Sequence, residues 1–252
     1  MIEKVLQIVR ESGMTGLGSR AVAFAYRHGI RPLLPSAGPV HYAGIPIAYN
    51  RKWGDRSVPS LWRPSSVEDM PEYESALVAG LREHVRPGDR VVVVGGGVGV
   101  TATIAALRTG HAGSVECFEG ASEGRRTAAV SGVSERLTVH HAVVARSISV
   151  YGTEPDHAVV APAELPECDV LELDCEGAEV DILCEMTIRP RVILVETHGL
   201  YGASTSRVFS LLGGMGYRVR ELGVAEPRLR SYCEQHDIRV LAGVQEGGQS
   251  QA

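Results

Sequence analysis

The stretch Val91-Val-Val-Val-Gly95-Gly-Gly97-Val-Gly99-Val-Thr-Ala102 decides the fold class. Residues Arg90–Val94 read as a short, continuously apolar strand, the pattern of a strand covered on both faces of a parallel sheet. A glycine run follows, and then a helical pattern over Val98–Arg108. Glycine has no Cβ, so it adopts positive φ without strain and lets the backbone approach a ligand closely. A helix starting behind such a turn presents free N–H groups and the positive end of its dipole, which suits an anionic or polar ligand. Gly97-x-Gly99-x-x-Ala102 also fits the dinucleotide fingerprint. A plain strand-to-helix turn uses the same glycines with no ligand at all.

Outward from this segment, strands and helices alternate. The pattern predicts a helix over Glu72–Val85 before the first strand. After the helix at Val98–Arg108 it predicts strand Ser114–Phe118, helix Ser122–Gly132, strand Leu137–Val144 and strand Asp169–Leu173. Helix Ala178–Met186, strand Val192–Glu196, helix Thr205–Met215, strand Tyr217–Leu222 and a last strand near Ile238–Leu241 complete the series. Such alternation implies an α/β fold with a mostly parallel, doubly wound sheet, in which ligands bind outside the carboxyl ends of the strands. Residues 1–70 have a different texture. Two short helical patterns, Ile2–Ser12 and Ser19–His28, precede two short strands around Gly44 and a proline-rich stretch holding Trp53 and Trp62. They are expected to form an irregular extension or lid, residues 71–244 the main domain, and residues 245–252 a frayed tail.

At 252 residues the chain is long enough for a real core, and its 44% hydrophobic and 22% charged residues are those of a globular protein. A net charge of −5 argues against a broad nucleic-acid surface. No apolar run reaches the roughly 18 residues of a membrane span, and the N-terminus lacks the apolar block of a signal peptide. The five cysteines form no CxxC pair and are odd in number. A disulfide framework and a zinc site are therefore not expected, and a reducing cytoplasm is.

The chemistry should lie at the strand ends. Glu119 closes the second strand of the domain, 22 residues past Gly97. An acid about 20 residues past the turn commonly accepts hydrogen bonds from ribose hydroxyls. Asp169-Val-Leu-Glu172-Leu-Asp174-Cys-Glu176-Gly177-Ala-Glu179 gathers four carboxylates, Glu172, Asp174, Glu176 and Glu179, around a strand end and a helix start. Alternation puts Glu172 and Asp174 on one side. The next strand ends Glu196-Thr-His198, so two adjacent strands send Asp174, Glu176, Glu196 and His198 to one rim. Asp174, Glu176 and His198 are the candidate catalytic bases. Glu179 also suits a helix N-terminus, where a carboxylate stabilises the dipole by roughly 0.3–1 kcal/mol. The backbone of Ala142 should face the adenine side of a nucleoside pocket. His140 and His141 are adjacent in a strand and so point to opposite faces. No residue is assigned to a metal.

These residues carry a family resemblance. LELDCEGAEVDIL resembles the hallmark of FkbM-type methyltransferases, which usually reads LKIDVEGAE. The glycine segment resembles that family's DVGANIG loop, CFEG its acidic strand end, and VETHG its later VE-x-H strand end. The resemblance implies a Rossmann-like class I methyltransferase fold that binds S-adenosyl-L-methionine. Gly95, Gly97, Gly99, Glu119, Ala142 and Asp174 would then lie on the cofactor, and the methyl would pass to a hydroxyl of a small-molecule or saccharide acceptor. Two positions depart from the pattern. Val93 stands where the family has an aspartate, and Glu172 replaces its lysine, reversing a charge beside the site. An NAD(P)- or FAD-linked oxidoreductase, or a non-catalytic interaction protein on the same fold, are the alternative readings.

Overall fold

The structure, a computed structural model, describes residues 2–145 and 158–245. In chain order the strands are β1 (Ser36–Tyr42), β2 (Ile45–Lys52), β3 (Arg90–Val94), β4 (Ser114–Glu119), β5 (Leu137–Val144), β6 (Ala158–Val160), β7 (Val170–Leu173), β8 (Val192–Glu196), β9 (Tyr217–Val224) and β10 (Arg239–Gln245). The helices are α1 (Ile2–Ala25), α2 (Ser75–His84), α3 (Val100–Thr109), α4 (Glu123–Val130), α5 (Glu179–Glu185), α6 (Thr205–Gly214) and α7 (Arg230–His236). Two compact units result. One comprises Met1–His41 with Ala48–Asp69, the other Tyr42–Ile47 with Met70–Ala252.

The larger unit is built on an eight-stranded sheet of order β6-β5-β4-β3-β7-β8-β10-β9. All pairs from β6 to β8 are parallel, and β10 runs antiparallel to both β8 and β9. Chain order reverses between β3 and β7, so a crevice opens beyond their carboxyl ends, the usual ligand position in such sheets. This is the mostly parallel, doubly wound arrangement expected from the alternation of strands and helices. On one face Val92, Val94, Leu171, Leu173, Ile193 and Val195 pack with Ile182, Leu183, Val208 and Leu212 of α5 and α6. Full burial of one such side chain is worth about 1.5–3 kcal/mol. The other face lies against α2, where Gly80 brings the helix backbone close to Leu194 and Leu222.

Element boundaries differ from the expected ones where local backbone chemistry intervenes. Glu74 has φ 44° and ψ 41°, so α2 starts at Ser75 and leaves Tyr73 and Glu74 outside it. Gly99 has φ 91°, which delays α3 to Val100. The two N-terminal helical patterns join in one helix interrupted at Gly13 (φ 67°, ψ −175°), and a π-helical turn, Tyr26–Ile30, follows. Periodicity did not reveal β6 or α7, and β10 runs on to Gln245, placed in the tail by the sequence. Gln245 donates from its backbone N–H to the Arg191 carbonyl. Residues 246–252 lie outside the described residues. The segment Tyr42–Ile47, expected in the extension, belongs to the larger unit. Tyr42 bridges Met70, the Ala43 N–H donates to the Met70 carbonyl, and the Arg82 guanidinium donates to the Ala43 carbonyl.

The smaller unit is organised by Asp55, which is 3% exposed. Its carboxylate accepts from Arg31 Nε and Nη2, each at 3.0 Å, and from the Lys52 N–H at 2.7 Å. Arg27 donates to the carbonyls of Leu61, Trp62 and Arg63, which holds the tryptophan loop within this unit. Burial opposes the Asp55 charge, but the Arg31 and Lys52 hydrogen bonds outweigh it and set its pKa below the ordinary value.

A group with a lowered folded pKa contributes stability that is complete above its unfolded value, about 3.9, and lost as pH falls through the folded one. On acidification below about pH 4, hydrogen exchange should therefore show residues 48–69 losing protection, and Asp55→Asn should remove that acid-dependent step. In the larger unit, a Cβ at Gly95 would overlap the Asp174 carbonyl oxygen, whereas at Gly97 the nearest atom is the Tyr73 hydroxyl, 4.0 Å away. Urea unfolding should show Gly95→Ala costing more than about 2 kcal/mol and Gly97→Ala only about 1 kcal/mol of backbone strain. Equal costs would remove close packing as the reason for Gly95.

Candidate active site

Four chain segments meet at the carboxyl rim: the turn after β3, the end of β4, the turn after β7 and the segment after β8. The β3 turn is shaped mainly by packing inside the protein. A Cβ at Gly96 would overlap Cys117 Sγ, and one at Gly99 would lie 2.8 Å from Gly124 Cα. Together with the Gly95 contact, these close approaches explain three of the four loop glycines without a ligand. Gly97, with φ 50°, faces open space.

Glu119 ends β4 beside this turn. Its Oε2 accepts from the Gly97 N–H at 2.6 Å and its Oε1 from the Ala121 N–H at 2.7 Å. Burial raises its pKa, and those backbone bonds partly offset the rise. Ala142 is buried in β5, one residue beyond His141, the register partner of Glu119. The glycine turn, Glu119 and Ala142 thus lie on one side of the crevice. A carboxylate offers about four lone-pair sites, more than these backbone bonds occupy, so Glu119 can still accept from a ribose hydroxyl. His140 is turned elsewhere, with Nε2 3.0 Å from Glu116 Oε2 and its ring stacked on Phe118.

The turn after β7 begins at Asp174, whose N–H donates to the Val94 carbonyl at 2.9 Å and continues the β3 pairing past the strand. Glu176 (φ 50°) and Gly177 (φ 110°) then reverse the chain in left-handed conformations. For glutamate this conformation is strained, and such strain gathers at functional sites. Glu179 secures the turn from inside. Fully buried, it accepts from the Cys175 N–H at 3.2 Å through Oε1 and from the Gly177 N–H at 2.9 Å through Oε2. Its Oε1 also lies 2.7 Å from Nδ1 of His198. The sequence allowed Glu179 a helix-terminal role; the structure adds the orientation of a histidine nineteen residues on.

His198 is 7% exposed and sits in a small loop closed by its reciprocal backbone bonds with Ala203. Its Nε2 lies 3.6 Å from Asp174 Oδ1 and 3.7 Å from Glu196 Oε1. Burial works to lower the His198 pKa, but the Glu179 hydrogen bond and the charges of Asp174, Glu179 and Glu176 prevail and hold it above its ordinary value. Asp174 is pushed up to about 6, chiefly by burial, with His198 opposing and neighbouring carboxylates adding to the rise. Burial and the charges of Asp174 and Glu74 raise Glu196 well above its usual range. Asp174 and His198 thus converge, while Glu176 is exposed and acts on them only through its charge.

Glu74, half-buried ahead of α2, adds a further carboxylate. Its N–H donates to Glu226 Oε2 at 3.1 Å, and burial with the Asp174 charge raises its pKa. Glu226 carried no sequence signal, because only the chain's return through β9 brings it here. The two departures from the family pattern prove to be one feature: Val93 and Glu172 are register partners across β3 and β7. Glu172 is fully buried, neither oxygen makes a well-formed hydrogen bond, and only a weak influence of the Thr101 hydroxyl opposes the effect of burial and of Asp174. Burial, with the Asp174 charge, pushes its pKa up to about 8. The departure from the family's lysine thus sets a buried acid, with its ionisation opposed by burial, across from an apolar residue.

Comparison with known proteins accords with this arrangement. The family model described as the Methyltransferase FkbM domain matches residues 57–219. No curated protein matches the chain. Among solved structures, the chain is similar to an S-adenosylmethionine-dependent O-methyltransferase from Thermotoga maritima, at 16% identity over 72% of this chain and 68% of that one, with a TM-score of 0.45. A precorrin-6y C5,15-methyltransferase from Geobacter metallireducens matches at 13% identity over 76% of this chain and 96% of its own, with a TM-score of 0.46. Fibrillarin from Aeropyrum pernix, in complex with natively bound S-adenosyl-L-methionine, matches at 15% identity over 68% and 76%, with a TM-score of 0.42. The family match spans more than half of the chain and includes the glycine turn, which sets aside the oxidoreductase and non-catalytic readings. The chain therefore belongs to the FkbM methyltransferase domain family and is an S-adenosylmethionine-dependent methyltransferase.

Proposed function

We propose that the enzyme methylates a hydroxyl oxygen of a small-molecule or saccharide acceptor. The observation that carries this reading is the convergence of Asp174 and His198 at the rim, with His198 locked by buried Glu179. When bound, S-adenosylmethionine supplies a methyl group already activated by its sulfonium. What remains for the protein is to hold the cofactor, align the acceptor oxygen and receive its proton. Glu119 is assigned to the ribose hydroxyls, and the open side of Gly97 admits the cofactor against the backbone. Ala142 would border the base. Asp174 retains 18% exposure of its side chain, against 9% for His198 and 12% for Glu196, so it is the member of the set most open to an incoming hydroxyl. It orients that hydroxyl by accepting its hydrogen bond and takes up the released proton. Glu176, being exposed, is assigned to shaping the turn and its field, not to proton transfer.

No helix among the described residues is long and apolar enough to cross a membrane. All five cysteines are free. Both features suit an enzyme of the cytoplasm acting on a diffusible acceptor.

Two substitutions separate the assigned roles. Asp174→Asn should lower methyl transfer by about 10²–10⁴-fold with little change in S-adenosylhomocysteine affinity by calorimetry; full activity would remove Asp174 from the reaction. Glu119→Gln loses a charged acceptor worth about 1.5–3 kcal/mol. Its dissociation constant for S-adenosylhomocysteine should rise about tenfold or more, and an unchanged value would move the ribose contact elsewhere.

A further inference from the structure

We propose that Asp174, Glu196 and His198 form a binding site for a divalent transition-metal ion of which Mn²⁺ is the best match. One ligand atom from each residue lies within 4.8 Å of the others. The Nε2 to Oδ1 and Nε2 to Oε1 distances of 3.6 and 3.7 Å are too long for hydrogen bonds. Three atoms thus converge without bonding one another. Donors about 2.1 Å from one shared ion stand about 3.0–3.5 Å apart, so the two imidazole–carboxylate distances need to shorten by only a few tenths of an ångström to meet that spacing.

Two further observations point to a cation. Glu196 is only 9% exposed, and its Oε2 has no hydrogen-bond partner. A buried carboxylate oxygen is seldom left so, and a metal ion would satisfy it. His198 is the second. Its Nδ1 is held by buried Glu179 at 2.7 Å, which aims Nε2 at the two carboxylates. A carboxylate on the far nitrogen is the usual support of a metal-bound histidine. The ion pairs that Asp174, Glu179 and Glu196 make within the described residues all run to His198. The mixed donor set selects among metals: Mg²⁺ and Ca²⁺ favour oxygen alone, while imidazole beside carboxylates suits Mn²⁺ or Zn²⁺.

Three protein ligands leave coordination positions open, and an acceptor hydroxyl could enter one and become more acidic there. That use rests on the O-methylation reading; the site itself does not. Manganese binding to the full chain, stripped of metal and free of cofactor and acceptor, is therefore the direct test. Loss of the free Mn²⁺ resonance should reveal one saturable site per chain. Its dissociation constant should rise at least tenfold in Glu196→Gln and in His198→Gln, and 10–100-fold in Glu179→Gln, with Glu116→Gln unchanged. Calorimetry with Zn²⁺ and Mg²⁺ orders the metals, with Mg²⁺ expected weakest. Thermal unfolding identifies any variant that does not fold, in which case Asp174→Asn replaces it. Absence of a saturable site for Mn²⁺ and Zn²⁺, or binding that survives the ligand substitutions, would overturn the proposal. Metal binding by a chain that transfers no methyl to any hydroxyl would keep the site and overturn the O-methylation reading instead.

Discussion

Glu179 sits where the turn after β7 meets the segment after β8, and its carboxylate engages both. Through the Cys175 and Gly177 N–H groups it fixes the left-handed reversal at Glu176 and Gly177, and through His198 Nδ1 it sets the direction of the imidazole. The side chain is wholly buried, so the hydrogen bonds are not diluted by solvent and loss of any one would leave a buried charge short of a partner. The position of Asp174 depends on the same turn, since its backbone N–H is held by Val94 on one side and the reversal begins on the other.

The rim is acidic out of proportion to its one imidazole. Glu74, Glu172, Asp174, Glu179 and Glu196 crowd a small volume with His198, and burial makes full ionisation costly. The molecule meets that cost in two ways. Burial raises the pKa of Glu172, which favours its uncharged form, and apolar Val93 is its register partner. Nearer the crevice, His198 is drawn toward the charged form by the carboxylates around it. The result is a crowded acidic pocket around one imidazole, next to a glycine turn whose Gly97 N–H is engaged by Glu119.

The smaller unit follows a different logic. It is tied by the guanidinium groups of Arg27 and Arg31, one to loop carbonyls and one to the buried Asp55. Arginine suits both tasks because its planar fork donates along several fixed directions and stays charged.

Much of this was legible in the chain before any coordinates. Four consecutive valines followed by glycines can hardly be other than a buried strand and a tight turn, and Asp174 at the end of LELD had to reach the rim because strand alternation leaves it nowhere else. Glu119 and His198 were readable for the same reason. What spacing could not contain was the meeting of residues far apart in sequence. The role of Glu179 depends on a histidine nineteen positions away, and Glu226 reaches Glu74 across 152 residues. Nor could local pattern show that Val93 and Glu172 are one cross-strand pair, or that Gly95, Gly96 and Gly99 are required by neighbouring atoms while only Gly97 faces open space. Sequence determined the element of most residues in the central strands and their flanking helices, because periodicity and turn chemistry are local. Register and packing decided which of those residues touch, because contacts between elements arise only when the sheet is assembled.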